Sequence, residues 1–170
     1  MSNKTKQQIP IWFPVLLLPL SNLLSSWFAH ATDYDLTQTF VWVIGAIAEE
    51  LFYRFFLLQK LLLERTELKP RFSIVLISLL FAAMHLFNLR SGMTASVLLV
   101  QMSCAFCFSV WAGAVVWRTH SVMIPLLAHV LMNLTAFEGT SPLLPLAASM
   151  ITLVIGIILL TSRAKKQPTL

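Results

Sequence analysis

Residues 40–63 read FVWVIGAIAEELFYRFFLLQKLLL, an apolar stretch long enough to cross a bilayer that carries Glu49, Glu50 and Arg54 near its centre. A charged side chain at membrane depth costs about 3 kcal/mol on the gentlest scales. Such groups are tolerated where they face the interior of a helical bundle or a water-filled cavity. The stretch therefore predicts a membrane helix with a functional polar face.

The composition indicates a membrane setting for the whole chain. Of its 170 residues, 58% are hydrophobic and 11% are charged, and the mean hydropathy is +0.80. These values are typical of polytopic membrane proteins and not of soluble domains. Five further apolar stretches approach the roughly 20 residues that a spanning helix needs: 10–28, 72–89, 93–117, 121–137 and 142–160.

This pattern predicts an all-α, polytopic membrane helical bundle of about six transmembrane helices. Six spans leave no room for a soluble domain. We therefore expect a single integral-membrane domain over residues 1–170, with its motif-bearing core at about 40–137.

The basic residues predict an orientation. If the N-terminus is cytoplasmic, cytoplasmic segments carry Lys4, Lys6, Lys60, Arg65, Lys69, Arg71, Arg118, Arg163, Lys165 and Lys166. The opposite side carries Arg90 beside the acidic Asp33, Asp35 and Glu138. The positive-inside rule then predicts that both termini are cytoplasmic. The pI near 9.6 follows from cations that anchor the chain against the lipid bilayer, so we expect no nucleic-acid partner.

The first apolar stretch has a second interpretation. A secretory signal peptide has a basic region, an apolar region and a cleavage site with small residues. The N-terminal part of the chain resembles this pattern, with Lys4 and Lys6, the apolar run and the segment Ala29-His30-Ala31. The run is long for a signal, which favours an uncleaved first helix. Cleavage would leave five spans with the same orientation and the same candidate site.

Polar residues of the other spans lie where they would meet the glutamates. At about 1.5 Å per residue from the predicted cytoplasmic helix ends, Glu49, His85 and Asn133 lie near 20 Å and His129 near 14 Å. The pairs Glu50 and Arg54, Phe81 and His85, and His129 and Asn133 are each four residues apart. Each pair therefore shares one face of its helix.

The motifs Glu49-Glu50-x-x-x-Arg54, Phe81-x-x-x-His85 and His129-x-x-x-Asn133 resemble, in this order, the three motifs of the CPBP family. That family comprises CAAX prenyl endopeptidases and bacteriocin-processing or immunity proteins, and is also called the Abi family. The resemblance covers residues 44–133 and fills all six signature positions. It implies a helical, glutamic-type intramembrane protease, and the short chain resembles prokaryotic members in the plasma (inner) membrane.

Peptide hydrolysis needs an activated water, a base for its proton and donors to the oxyanion that develops on the carbonyl. The resemblance implies that Glu49 with His85 activates the water and that His129 with Asn133 forms the oxyanion hole. It implies a supporting role for Glu50 and Arg54, and a peptide or membrane-protein substrate. Glu49 and Glu50 point about 100° apart on a helix, so at most one of them needs to face the catalytic centre.

Simpler interpretations of single residues stay open. The charged motif alone is consistent with an ion pair that fixes helix packing, and each histidine or Asn133 alone with an interhelical hydrogen bond. Asn88 is expected to orient His85 or to be solvated in a loop. His30 and His120, near span ends, have no expected chemical role, and Cys104-x-x-Cys107 is interpreted as small packing residues.

Zinc is the main chemical alternative, because carboxylates and imidazoles are ordinary zinc ligands. The helical zinc-protease pattern His-Glu-x-x-His is absent from the sequence. The resemblance implies a metal-independent mechanism, so we expect no cofactor and no metal ligand. A non-enzymatic immunity protein, scaffold or small transporter that uses the same polar cluster is the alternative function. Substrate identity, cleavage site, side of substrate access and oligomeric state stay open.

Overall fold

The structure is a computed structural model that describes residues 3–31, 33–136 and 141–162. Over these residues it contains six α-helices: α1 (Asn3–Phe28), α2 (Leu36–Glu50), α3 (Pro70–Met84), α4 (Ala95–Thr119), α5 (Met123–Leu134) and α6 (Leu143–Thr161). A π-helical segment, Leu51–Leu63, continues α2, and a 3₁₀ segment, His85–Ser91, continues α3. No strand occurs in this part of the chain, and the predicted all-α bundle is confirmed.

The helix ends follow from local chemistry. Asp35 caps α2, because its Oδ1 accepts hydrogen bonds from the backbone amides of Thr37 at 2.8 Å and Gln38 at 3.1 Å. Pro70 begins α3, where its missing amide hydrogen would have no helical partner. Gly92, with φ of 83°, ends the 3₁₀ segment in the left-handed conformation.

Four helical stretches in the described residues are long and apolar enough to cross a membrane: Ile11–Phe28, Pro70–Ser91, Ala95–Thr119 and Leu143–Thr161. Helix α2 and its π-helical continuation carry the charged motif. Helix α5 is a shorter apolar helix of 12 residues. It is about 18 Å long, less than the ~30 Å of a bilayer core.

The short helix α5 ends with its carbonyl groups bonded by side chains. Asn22 donates to the carbonyl oxygen of Met132 at 3.0 Å, and the Tyr34 hydroxyl donates to that of Leu134 at 3.1 Å. Thr135 donates to the carbonyl oxygen of Leu131 at 2.8 Å. The Leu131 carbonyl also accepts from the Thr135 backbone amide at 3.1 Å, whereas Asn22 and Tyr34 supply side-chain donors to carbonyls whose i+4 amides lie beyond the end of α5. Such donors are required where water is scarce.

Helix α4 is the centre of the bundle and packs against α3 and α6, while α5 packs against α1 and α2. Most residues of α4 from Ala105 to Val116 are buried, and Trp111 is fully buried. A Cβ on Gly156 of α6 would lie 2.9 Å from the backbone of Trp111. The absence of a side chain at Gly156 therefore permits the close contact of α4 with α6.

Several residues used for the sequence predictions lie outside the described residues. They are Phe137, Glu138, Arg163, Lys165 and Lys166. The predicted orientation, the plasma-membrane location and the single-domain boundaries stay predictions.

Candidate active site

A cavity of about 600 Å³ lies between α2, α3 with its 3₁₀ continuation, α4 and α5. Four of the predicted site residues line it: Glu49 from α2, His85 from the start of the 3₁₀ segment, and His129 and Asn133 from α5. The structure thus brings together side chains that are up to 84 positions apart in the sequence. Apolar walls surround them, including Val41, Ala46 and Phe81.

The two adjacent glutamates occupy different environments. The Glu49 side chain is 41% exposed and lines the cavity, whereas that of Glu50 is completely buried. Consecutive helical residues point about 100° apart, so only one of the two can face the cavity. Glu49 is therefore the carboxylate that is accessible to water and to a substrate.

Glu50 forms a buried ion pair with Arg54. Its Oε2 atom lies 3.3 Å from Nε of Arg54, and both side chains have no exposed surface. The guanidinium also lies over the Phe81 ring, 4.8 Å from the ring centroid. The guanidinium nitrogens have no hydrogen-bond partner among the described residues. The charge of Arg54 is therefore balanced chiefly by Glu50.

His129 lies between the two glutamates. Its Nδ1 atom donates to Oε1 of Glu50 at 3.1 Å, and its Nε2 atom lies 3.9 Å from Oε2 of Glu49. A carboxylate only accepts hydrogen bonds, so Nδ1 carries a hydrogen and Nε2 faces the Glu49 side. Sequence reasoning paired His129 with Asn133 and did not anticipate its bond to Glu50. Glu50 thus orients an imidazole as well as neutralising Arg54.

His85 is held by its own helix. Its Nδ1 atom lies 3.0 Å from the backbone carbonyl oxygen of Phe81, to which it donates. The bond lies at the junction where α3 ends and the 3₁₀ segment begins. Because Nδ1 carries the hydrogen, a neutral His85 has a lone pair on Nε2 that can accept a hydrogen bond from water in the cavity.

Asn133 joins α5 to α2. Its Nδ2 atom donates to the backbone carbonyl oxygen of Trp42 at 2.8 Å. An amide nitrogen carries two hydrogens, so this bond uses one and leaves the other. Asn133 therefore combines a structural bond with one remaining donor at the cavity.

The cavity also contains an amide pair, Asn88 and Gln101; the sequence analysis considered Asn88 but not Gln101 or their pairing. Nδ2 of Asn88 donates to Oε1 of Gln101 at 2.9 Å, and both residues line the cavity. Nδ1 of His85 bonds to the carbonyl oxygen of Phe81 and Nδ2 of Asn88 bonds to Gln101, so the structure gives Asn88 a partner other than the two considered from the sequence, His85 and loop water. The signal for Gln101 was available, since it is an uncharged polar residue inside a predicted span.

Other residues considered from the sequence lie away from the cavity. His30 and His120 follow α1 and α4 with φ of 50° and 54°, conformations that end helices. Cys104 and Cys107 are free thiols of α4, and Sγ of Cys107 lies 3.8 Å from Sδ of Met150 in α6. Cys107 thus belongs to the packing of α4 against α6, as interpreted from the sequence.

The donor set at the cavity is suited to acid and base chemistry. The motif residues contribute one accessible carboxylate, two imidazoles in fixed orientations and the amide donor of Asn133. Within residues 3–31, 33–136 and 141–162, no three His, Cys, Asp or Glu side chains are arranged to hold a metal ion.

One protein-family model matches the part of the chain that contains nearly all of the residues lining the cavity. The model of the type II CAAX prenyl endopeptidase Rce1-like family matches residues 35–135, more than half of the chain. This range includes every side chain of the three motifs. No curated protein and no solved structure gives a match. Apolar helices and family together indicate an integral membrane protein, and the chain belongs to the Rce1-like family of type II CAAX prenyl endopeptidases.

Proposed function

We propose that this protein is a glutamic-type intramembrane endopeptidase that hydrolyses a peptide bond in a membrane-associated peptide or protein. The observation that carries the proposal is the meeting of Glu49, His85, His129 and Asn133 at one cavity, with Glu49 accessible and Glu50 buried. Membership of a family of endopeptidases supports the same reaction class.

In the proposed reaction, Glu49 accepts a proton from water while Nε2 of His85 accepts the second hydrogen of that water as a hydrogen bond. The oxygen attacks the carbonyl carbon of the scissile peptide, and a tetrahedral oxyanion forms. The Glu49 proton then passes to the leaving amine as the carbon–nitrogen bond breaks. Protons and electrons balance without a redox partner or a cofactor.

The oxyanion requires donors that are already in position. We assign this role to the remaining hydrogen on Nδ2 of Asn133 and to Nε2 of His129 when that atom is protonated. Glu50 supports the assignment, because its bond to Nδ1 orients the ring. Arg54 keeps Glu50 ionised and so acts through it.

The proposal includes a setting. The protein would act in the plasma (inner) membrane of a prokaryote, with both termini cytoplasmic and the lipid bilayer as its surroundings. Its substrate would be a peptide or membrane protein that is matured or processed near its C-terminus. The exposed Arg65 and Lys69 lie between the π-helical segment and α3, and the exposed Lys60 and Arg71 flank this connection; the four cations support a cytoplasmic loop there.

The test uses purified protein in proteoliposomes and a library of quenched fluorescent peptides, with and without a farnesylated cysteine in a C-a-a-X ending. We expect wild-type cleavage that survives exhaustive chelation and is lost in Glu49→Gln, because the carboxylate and not a Lewis acid activates the water. Activity that disappears on chelation and returns with zinc would replace this mechanism by a metal mechanism. Binding without cleavage of any peptide would favour the alternative, a non-enzymatic immunity protein, scaffold or transporter.

A further inference from the structure

The amide pair of Asn88 and Gln101 lines the same cavity as Glu49 but belongs to none of the three motifs. Asn88 lies three residues after His85, on the 3₁₀ segment, and Gln101 lies on α4. Both side chains are half-buried. The pair therefore connects the element that carries His85 to the central helix of the bundle.

Hydrogen bonding within the pair leaves a complementary set of groups. The bond from Nδ2 of Asn88 to Oε1 of Gln101 leaves the carbonyl oxygen of Asn88 as an acceptor and the amide nitrogen of Gln101 as a donor. If both amides were turned over, the pair would still offer one acceptor and one donor. This is the pattern that one edge of a peptide backbone presents.

A peptide in a membrane cavity needs such a partner. In an extended strand, the amide hydrogen and the carbonyl oxygen of one residue point to the same side and bond together to a neighbouring strand. Away from water, each unbonded backbone group costs several kcal/mol. An amide pair that accepts from the one and donates to the other removes this cost, as an edge strand does in strand addition.

The cavity also has room for a backbone. Gly45 lies one turn before Glu49 and lines the cavity, and a Cβ built on it would meet no atom within 4 Å. Met84 and Phe87, apolar residues close in sequence to Asn88, line the wall. An extended peptide can therefore lie in the cavity with its side chains against apolar groups.

We infer that Asn88 and Gln101 form a subsite that binds the backbone of one substrate residue in an extended conformation, beside the Glu49 centre. This inference rests on the proposed function for its substrate class. The subsite would be independent of the sequence of the substrate, because it contacts only backbone atoms. Specificity for side chains would come from the apolar wall.

The test compares the double variant Asn88→Leu/Gln101→Met with wild-type protein. Both changes keep side-chain volume and remove both partners of the pair, so no buried group is left unbonded within it. With the best-cleaved library peptide as the probe, we expect KM to rise about tenfold and kcat to change little, since two net hydrogen bonds are lost. Asn22→Leu is the matched control, because Asn22 donates to Met132 outside the cavity and its loss should leave KM unchanged.

A second measurement separates a binding role from a structural one. N-methylation of the probe at each backbone position in turn should weaken its binding to Glu49→Gln protein most strongly at one position. In Glu49→Gln protein that also carries Asn88→Leu/Gln101→Met, N-methylation at that position should weaken binding no more than methylation at the other positions. An unchanged methylation profile, or an unchanged KM, would overturn the inference.

The same binding assay distinguishes the two proposals. If a library peptide binds and is never cleaved, the proposed function fails, while the methylation profile still tests the subsite with that peptide. If no library peptide, with or without a farnesylated cysteine, binds to the Glu49→Gln protein, the subsite inference itself is overturned.

Discussion

Glu49 and Glu50 are neighbours in sequence with opposite environments. Glu49 lines an open cavity, while Glu50 has no exposed surface and contacts both Arg54 and His129. Removing one partner of a buried pair leaves the other charge uncompensated, which typically costs about 3–5 kcal/mol. The same substitution should therefore have different effects at the two positions.

We predict that Glu50→Gln lowers the free energy of unfolding by about 3 kcal/mol or more, because Arg54 would be left buried without its counter-charge. Glu49→Gln should abolish cleavage with little change in stability, since its carboxylate is solvated. Thermal unfolding in detergent and peptide cleavage measure the two effects, and Arg54→Ala should resemble Glu50→Gln. Equal destabilisation at both positions would contradict the division between a reacting and a supporting glutamate.

We predict that Asn133→Ala lowers turnover by roughly a hundredfold, because one oxyanion donor is lost. It should also lower stability modestly, since the bond to Trp42 is lost with it. Asn22→Ala is the matched control, because it too removes an amide bond to a backbone carbonyl, at Met132, without touching the cavity. Comparable turnover in the two variants would exclude Asn133 from the oxyanion hole.

At the scale of elements, the contact of α4 with α6 depends on Gly156. A Cβ there would lie 2.9 Å from backbone atoms of Trp111, which cannot move aside as a flexible side chain would. At Gly45, by contrast, a Cβ would meet nothing within 4 Å. The chain thus contains two helical glycines with opposite steric surroundings.

We predict that Gly156→Ala lowers the free energy of unfolding by about 1–3 kcal/mol, because α6 must shift away from α4. Gly45→Ala should keep or raise stability, since alanine is the better helix former by about 1 kcal/mol. Thermal unfolding of both variants in the same detergent measures this difference. A Gly156→Ala protein as stable as wild type would show that α6 does not need its close approach to Trp111.

At the scale of the whole molecule, the charges outside the bundle predict how it sits in the membrane. The first connection, between the π-helical segment and α3, carries the exposed Arg65 and Lys69 and is flanked by the exposed Lys60 and Arg71. Arg90 lies in the 3₁₀ segment that precedes the second connection, before α4. The positive-inside rule places the first connection in the cytoplasm and the second on the opposite side.

We predict that a green fluorescent protein fused after Thr66 fluoresces and that alkaline phosphatase fused after Ser91 is active. The reason is that the former folds to its fluorescent state in the cytoplasm and the latter gains activity only after export. Fusions at the two termini of the full chain should both report the cytoplasm. Phosphatase activity after Thr66 would reverse the orientation.

The sequence alone determined the fold class, a bundle of apolar helices, and the depth of the polar residues along those helices. Hydropathy and helical periodicity are local properties, so apolar stretches near 20 residues predicted the bundle, and counting along them placed Glu49, His85 and Asn133 at one depth. Spacing by four residues likewise predicted the contact of Glu50 with Arg54, which the structure contains. The short length of α5 was not predicted, because its end depends on bonds from Asn22 and Tyr34 in other parts of the chain.

Only the tertiary structure decided which groups meet. The rotation of each helix about its axis is determined by packing against its neighbours, and a sequence pattern does not specify it. This rotation directs Glu49 into the cavity, sets His129 between the two glutamates and brings Gln101 to Asn88. The depth of a residue along its helix can therefore be predicted from the sequence. Which side chains of different helices contact each other depends on how the helices pack.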